Sequence, residues 1–385
     1  MKIGFIYHVH YHGQEQGAIC TYELCEQLNS LGHDARIYAF GSAGDGHEGI
    51  RRDVRLHDLG QLTWWTHEGL DCAVFYTADA FSAQVLTQAR DAGATVVIES
   101  DSDGYISFRQ APFHVLRQKM WDSRYSSLLK LRLLKTWVTL ALKSAATERR
   151  IFDSFSAAHF VKIESEEPKN ILRQFLLSKS RADLAAKVIV IPFPVRPHFA
   201  HDAVEAKRRP MVIAAGRLDS QQKNAELLAD ILAAFCRSAP EAAVEIHIRG
   251  LSTTLETLAK SHQRIAVFHD SSTHLLARRL SDARVFLSTS RWESTPIAAI
   301  EALCMGCSLV APDDVPGYRS LINNGRYGTA YSRGHVDAGV HALKSELEQW
   351  DTGRRNPART AMHWRMKSSL QAVANRWSEL VCSHR

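Results

Sequence analysis

Short apolar runs alternate along the chain with longer segments of helical spacing. Residues 3–7 read as a buried first strand and 17–31 as a helix. Strands are expected at 35–40, 71–76, 95–100, 157–164 and 188–191, with a helix over 80–92. A second series begins near residue 211. It predicts strands at 211–215, 244–248, 265–268, 285–288 and 308–311, and helices at 224–238, 255–261, 274–280 and 296–305. A final helical pattern runs from 361 to 381. Strands alternating with helices argue for parallel sheets covered by helices on both faces. The fold class expected is therefore α/β with two Rossmann-like, doubly wound domains.

The break between the two series is Ile191-Pro192-Phe193-Pro194-Val195-Arg196-Pro197. Its three prolines exclude a helix interior and a central strand. Residues 196–209 are polar and mixed in charge, so domains of 1–195 and 196–360 are expected, with 361–385 as a terminal helix. A chain of 385 residues exceeds the size that one core usually serves.

Composition narrows the class. Hydrophobic residues make up 45%, as in ordinary globular proteins. No apolar run is long enough to cross a membrane, and the apolar start at residues 3–7 is too short for a signal peptide. Seven scattered cysteines form no disulfide framework, so a reducing cytoplasm is expected. The net charge of +6 is concentrated: residues 109–150 hold ten Lys/Arg against Asp122 and Glu148 alone. Leu128-Leu129-Lys130-Leu131-Arg132-Leu133-Leu134-Lys135-Thr136-Trp137 places apolar and basic residues at helical spacing. That helix either rests on an anionic membrane surface or is a core helix with a basic outer face. Nucleic acid is not expected, because no binding module accompanies the charge.

Candidate chemistry sits at strand ends. After the strand at 285–288, Glu293 and Glu301 bracket an expected helix start, Ser294-Thr295-Pro296-Ile297. Thr295 is expected to cap that helix, with Pro296 in its first turn. A helix N-terminus suits phosphate, and carboxylates suit hydroxyls. Together they fit a nucleotide-sugar. At the end of the strand at 211–215, Gly216 allows close approach to the backbone. Arg217 and Lys223 follow on one loop and are able to face one anion. The alternative is a surface turn with solvated charges.

These motifs resemble those of the GT-B glycosyltransferases of family four, a large retaining family. Gly216-Arg217 with Lys223 matches its basic motif, and Glu293 with Glu301 matches its Glu-x7-Glu signature, preceded by Ser290-Arg291-Trp292. Gly306, Pro312 to Gly317, and Asn324-Gly325-Arg326-Tyr327-Gly328 continue the pattern, and Ile191 to Val195 resembles the interdomain segment. The resemblance implies two domains facing across a cleft, with the terminal helix crossing back to the first. It implies that Arg217 and Lys223 hold the donor diphosphate without a metal, and that Glu301 accepts from ribose hydroxyls. Glu293 would meet sugar hydroxyls, and the amides of Thr295 to Ile297 the distal phosphate. Gly17, Gly216, Gly250, Ser294 and Pro296 complete the implied donor site. No cofactor is implied beyond a UDP- or GDP-linked sugar as substrate. The implied partner is a glycan or lipid-linked glycan, in a setting such as bacterial surface-polysaccharide or lipopolysaccharide assembly.

The chain departs from the family in its first half. The loop His8-Val9-His10-Tyr11-His12-Gly13-Gln14-Glu15-Gln16-Gly17 keeps only Gly17 of a paired glycine. Its histidines read as cleft-lining groups or as a metal site. In Glu99-Ser100-Asp101-Ser102-Asp103, Asp101 stands where relatives carry a catalytic histidine. Cys304-Met305-Gly306-Cys307 lacks the second pair of a zinc site and is expected to fill core. The alternatives are a nucleotide-sugar epimerase or a phosphorylase on the same scaffold, or a non-catalytic membrane-binding scaffold.

Overall fold

A computed structural model of the chain describes all residues except 11–15, 41–48, 77–80, 101, 113–128, 202–203, 205–206, 240 and 385; the side chains of 8–10, 16–19 and 129–133 are also left aside. His12 and Asp101 therefore lie outside what is described, as do the side chains of His8 and His10, whose backbone belongs to the first strand, Lys2–His10, and not to the loop expected there.

The first sheet has seven strands: β1 (Lys2–His10), β2 (Asp34–Phe40), β3 (Arg51–Asp53), β4 (Cys72–Tyr76), β5 (Thr95–Glu99), β6 (Phe160–Ile163) and β7 (Val188–Val190). They lie in the order β3-β2-β1-β4-β5-β6-β7, all parallel. The second sheet has six: β8 (Arg209–Gly216), β9 (Ala243–Ile248), β10 (Ile265–His269), β11 (Ala283–Leu287), β12 (Ser308–Pro312) and β13 (Gly328–Tyr331). Their order is β10-β9-β8-β11-β12-β13, again parallel. Both are doubly wound sheets in which the chain reverses direction beside the first strand of the unit.

Successive strand residues point to opposite faces, and each sheet is buried on both. In β1, Ile6 joins one apolar cluster while Ile3, Phe5 and Tyr7 join another. In β8, Val212 and Ala214 face one cluster, and Met211, Ile213 and Ala215 the other. This explains the unbroken apolar runs in the sequence.

Several elements differ from expectation. The edge strand β3 is polar and three residues long, so it leaves no apolar signal. β13 begins at Gly328, whose backbone lies so close to Leu309 that a Cβ there would collide with its carbonyl. The strand expected from 157 starts only at Phe160, because the helix Leu129–Ala157 continues until Ala158 N–H bonds Ser154 O. The helix Val336–Asp351 buries Glu346 within its apolar stripe, which obscures its period. Arg355 neutralises that carboxylate from outside the helix (Nε to Oε1, 2.5 Å).

The terminal helical pattern is two helices, Pro357–Ser368 and Leu370–Cys382. Ser369 is extended (φ −64°, ψ 152°) and breaks them. The first buries Trp364 among residues of the second unit, edge-on to Tyr327. The second packs on the first unit, with Trp377 edge-on to Phe5 at 5.7 Å. The compact units accordingly place Val195–Ser369 in the second unit and Leu370–Arg385 in the first, with Met1–Val115 and Leu134–Pro194.

Trp377 is 1% exposed. Trp377→Ala should cost the first unit about 3–5 kcal/mol by removing a buried indole. Urea unfolding checks this: a midpoint unchanged from the parent protein would contradict the assigned docking of this helix.

Candidate functional site

In an open parallel sheet, ligands bind beyond the carboxyl ends of the strands where the order reverses. In the second unit that point lies between β8 and β11. A cavity there is lined by Ala215, Lys223, Ser288, Ser290, Pro296 and Tyr318. The two motifs singled out in the sequence converge on it through the loops that follow these strands, with Lys223 from the first and Pro296 from the second in its lining.

The loop after β8 starts at Gly216, whose φ of +139° suits glycine. A Cβ there would lie 3.7 Å from Lys223 Cε. The loop turns tightly, with Ser220 N–H bonded to Arg217 O and Lys223 N–H to Ser220 O (both 3.1 Å). It is then stitched to the loop after β11. Thr289 Oγ1 donates to Lys223 O (2.8 Å), and Gln222 Nε2 to Trp292 O (2.9 Å). Arg291 N–H bonds Gln222 O (2.8 Å), and Arg291 Nη2 bonds Asn224 Oδ1 (2.9 Å). These bonds hold Lys223 Nζ 2.5 Å from Glu293 Oε1. Glu293 is buried, so the pairing is required: an unpaired buried carboxylate is costly. The ammonium keeps two further N–H donors for an anion. Arg217, in contrast, is exposed.

The helix Ile297–Cys304 follows. Its N-cap is Pro296, and Thr295 does not cap it; Thr295 Oγ1 is buried with no hydrogen-bond partner. The expected cap fails because Ile297 N–H turns back onto the Thr295 carbonyl (2.9 Å), winding the entry too tightly for the side chain to reach N2 or N3. The expected phosphate amides change accordingly. Pro296 has no N–H, and that of Ile297 is engaged. Ala298, in the first turn, has no intrahelical acceptor for its N–H. Gly317 lets this turn pack closely, since a Cβ there would lie 3.1 Å from Pro296 Cδ. Beneath it, Tyr318 Oη and Ser288 Oγ are 2.5 Å apart, with Ser290 Oγ 3.3 Å from the phenol. Burial pushes the Tyr318 pKa well up, so this hydroxyl stays protonated.

Glu301 lies one turn further along and is 1% exposed. Arg196 meets it with a fork: Nε to Oε1 at 2.9 Å and Nη2 to Oε2 at 3.1 Å. Burial raises the Glu301 pKa, and Arg196 and then Arg249 oppose the rise. Arg196 belongs to the proline-rich segment that the sequence marks as a boundary, and its charge there signals no role. Gly250 (φ +87°) lies against the Asp219 carboxylate, whose oxygen would be 2.7 Å from a Cβ at that position. Ser294 lies on the loop between Glu293 and the helix, partly exposed.

In the first unit, Gly17 is the second residue of the helix Gln16–Ser30. Among the acidic residues at the end of β5, Glu99 is engaged by Lys162 Nζ (2.5 Å), which also reaches Glu164 (3.3 Å). Burial opposes the Lys162 charge, but the two carboxylates outweigh it and raise its pKa. Glu99 is thus an ion-pair partner inside the protein. Cys304 and Cys307 are both buried in the core of the second unit, as expected. Burial raises both thiol pKa values, that of Cys307 to about 11.

Residues 209–349 match the family model of the glycosyl transferases group 1. No curated protein matches the chain at a significant level. Among solved structures, sucrose-phosphate synthase from Thermosynechococcus elongatus is 15% identical, covers 100% of this chain and 99% of its own, and superimposes with a TM-score of 0.68. The lipopolysaccharide outer core galactosyltransferase WaaB, in apo form, is 16% identical over 100% of both chains with a TM-score of 0.67. Anabaena HepE, in complex with UDP and glucose, is 15% identical over 100% of both with a TM-score of 0.63. The chain has the GT-B fold, and its second unit carries a glycosyl transferases group 1 domain.

Lys223→Met should destabilise the second unit by about 2–4 kcal/mol, because it strands Glu293 in a buried site. Adding Glu293→Gln should recover most of the loss, since pair members in contact are not additive. Guanidinium unfolding of the three variants measures the cycle; additive losses would show that the pair is not coupled.

Proposed function

We propose that the protein is a retaining glycosyltransferase that moves a sugar from a nucleotide-linked donor to a glycan or lipid-linked glycan. The observation that carries this reading is the convergence of Lys223, itself paired with Glu293, and the start of helix Ile297–Cys304 on one cavity at the point where the second sheet reverses order. It combines a cation and helix-start amides for phosphate with carboxylates for hydroxyls. A uridine or guanosine diphosphate is the favoured leaving group. That HepE was solved with UDP and glucose supports the first.

The chemistry follows from charge placement. The acceptor hydroxyl attacks the donor's anomeric carbon on the face from which the phosphate departs. The bond from that carbon to the phosphate oxygen breaks, and its electron pair goes to the diphosphate. The phosphate takes the acceptor's proton. Arg217 and Lys223 stabilise the growing negative charge by preplaced electrostatics, the contribution that most lowers such barriers, with no metal required. Glu293 would exchange part of its bond with Lys223 for donor-sugar hydroxyls, and Glu301 would receive the ribose. Gly216 and Gly250 keep backbone open beside the nucleotide, and Ser294 flanks the sugar. For the first unit the family resemblance offers Gly17 and Asp101, with Asp101 in the sequence place of the family histidine. A thermal-shift screen over nucleoside diphosphates and their sugars tests the reading. UDP or GDP should raise the melting temperature in proportion to ligand over Kd, and Lys223→Ala or Glu301→Ala should abolish both the shift and transfer. Intact binding and transfer in both variants would sink it.

The helix Leu129–Ala157 favours contact with an anionic membrane surface as the route to a lipid-linked acceptor. Leu134, Trp137, Val138 and Leu142 are exposed on it beside Lys135, Lys143 and Arg149. Between 134 and 149 its one acid, Glu148, is turned inward to Ser107 and to Lys179 (3.3 Å) and leaves the charge of that span uncancelled; the helix's other acid, Asp153, lies beyond it. No helix among the described residues is long and apolar enough to span a membrane. A surface-polysaccharide or lipopolysaccharide acceptor on the cytoplasmic face fits this arrangement. Flotation with phosphatidylglycerol vesicles should fall several-fold in a variant with Trp137→Ser, Lys135→Gln and Lys143→Gln. Flotation equal to the parent protein would exclude this face.

A further inference from the structure

The second carboxylate of the Glu-x7-Glu motif does not stand alone. Its partner arrives from the connection between the two units. Arg196 is the second residue of the second unit, and Val195 beside it is pinned by a 2.8 Å bond to Ser368 O. The guanidinium is 9% exposed for the residue as a whole, lies over the Phe199 ring, and gives Nη1 to Thr273 Oγ1 at 2.8 Å. Nε and Nη2 form the fork to Glu301. A planar fork matches both oxygens of a carboxylate and so fixes its orientation as well as its charge. An ionised carboxylate has about four acceptor directions. The fork uses one on each oxygen and leaves one on each. That is the pattern required to accept two neighbouring hydroxyls.

We propose that Arg196 is the positioning residue of the nucleotide site, holding Glu301 so that its two unused acceptor directions meet the paired hydroxyls of a ribose. This rests on the reading of the site as a nucleotide-sugar pocket. The groups facing Glu301 are Arg196 from the connection, Arg249 from the end of β9, and the Cys304 thiol from its own helix, itself beside Arg365. Cys304 is held neutral by burial, so Arg196 is the cation in direct contact. Without it, burial drives Glu301 toward its protonated form, which gives up an acceptor direction to carry the proton.

The test uses the intact chain with UDP and GDP and their 2′,3′-dideoxy analogues, measured by calorimetry from pH 5.5 to 8.5. The parent protein should prefer the ribonucleotide on the order of tenfold, with little change across this range. Arg196→Met should lose most of that preference at pH 6 and regain part of it by pH 8.5, as Glu301 ionises. Arg196→Lys should lie between, because an ammonium keeps the charge but not the fork. A merely structural role would weaken ribo and dideoxy ligands equally and leave the pH profile flat, and that result would overturn the proposal. Infrared spectroscopy of the ligand-free protein gives a second measurement. A protonated carboxyl band should appear in Arg196→Met at pH 6.5 and vanish when Glu301→Gln is added. Its absence would also overturn the proposal. Should the parent protein bind no nucleoside diphosphate while the band behaves as expected, the nucleotide reading fails, and with it the ribose role. The Arg196–Glu301 coupling alone would then stand.

Discussion

The two carboxylates of the Glu-x7-Glu motif are buried in the second unit, and neither is tolerable there without a cation. Glu293 receives Lys223 from the loop after β8, and Glu301 receives Arg196 from the proline-rich connection. Burying an ionised carboxylate without a partner costs far more than most single contacts contribute. Each loop must therefore arrive in register for the unit to close. Gly216, Asn224 (φ +56°) and the hydrogen bonds between the 217–223 and 289–292 loops provide that register. The same constraint that secures folding would assemble the proposed site.

The paired state also bears on how a ligand enters. Lys223 and Arg196 each spend only part of their donor capacity on the carboxylates. A diphosphate would compete with Glu293 for Lys223, whereas the Arg196 fork leaves Glu301 free to accept further bonds. The two glutamates of the motif thus differ in kind. In the proposed site, one would exchange its partner on binding and the other would keep it.

The first unit answers a different problem with the same physics. Lys162 is buried between Glu99 and Glu164 at the ends of β5 and β6, so an acidic run that resembles a binding cluster is partly internal structure. Its sheet is completed on one face by the last helix of the chain, through Trp377, Val373 and Val381. Along Leu129–Ala157 the inward turn of Glu148 concentrates positive charge on the outer face. A count of charges along the sequence could not reveal that orientation.

By itself, the sequence determined the two doubly wound units. Runs buried on both faces leave a continuous apolar signal, and the prolines at 192, 194 and 197 interrupt it. It also singled out the basic loop and the Glu-x7-Glu motif, which the fold brings to neighbouring strand ends. Elements whose signal is polar or divided stayed hidden: the edge strand β3, the strand opened by Gly328, and the helix that buries Glu346. Only the tertiary structure decided the partners. It replaced the Thr295 cap with a Pro296 entry, split the terminal helix at Ser369, paired Lys223 with Glu293, and brought Arg196 across 105 residues to Glu301. Ion pairing depends on which strand ends lie side by side, and strand order is a property of the folded sheet that no local pattern encodes.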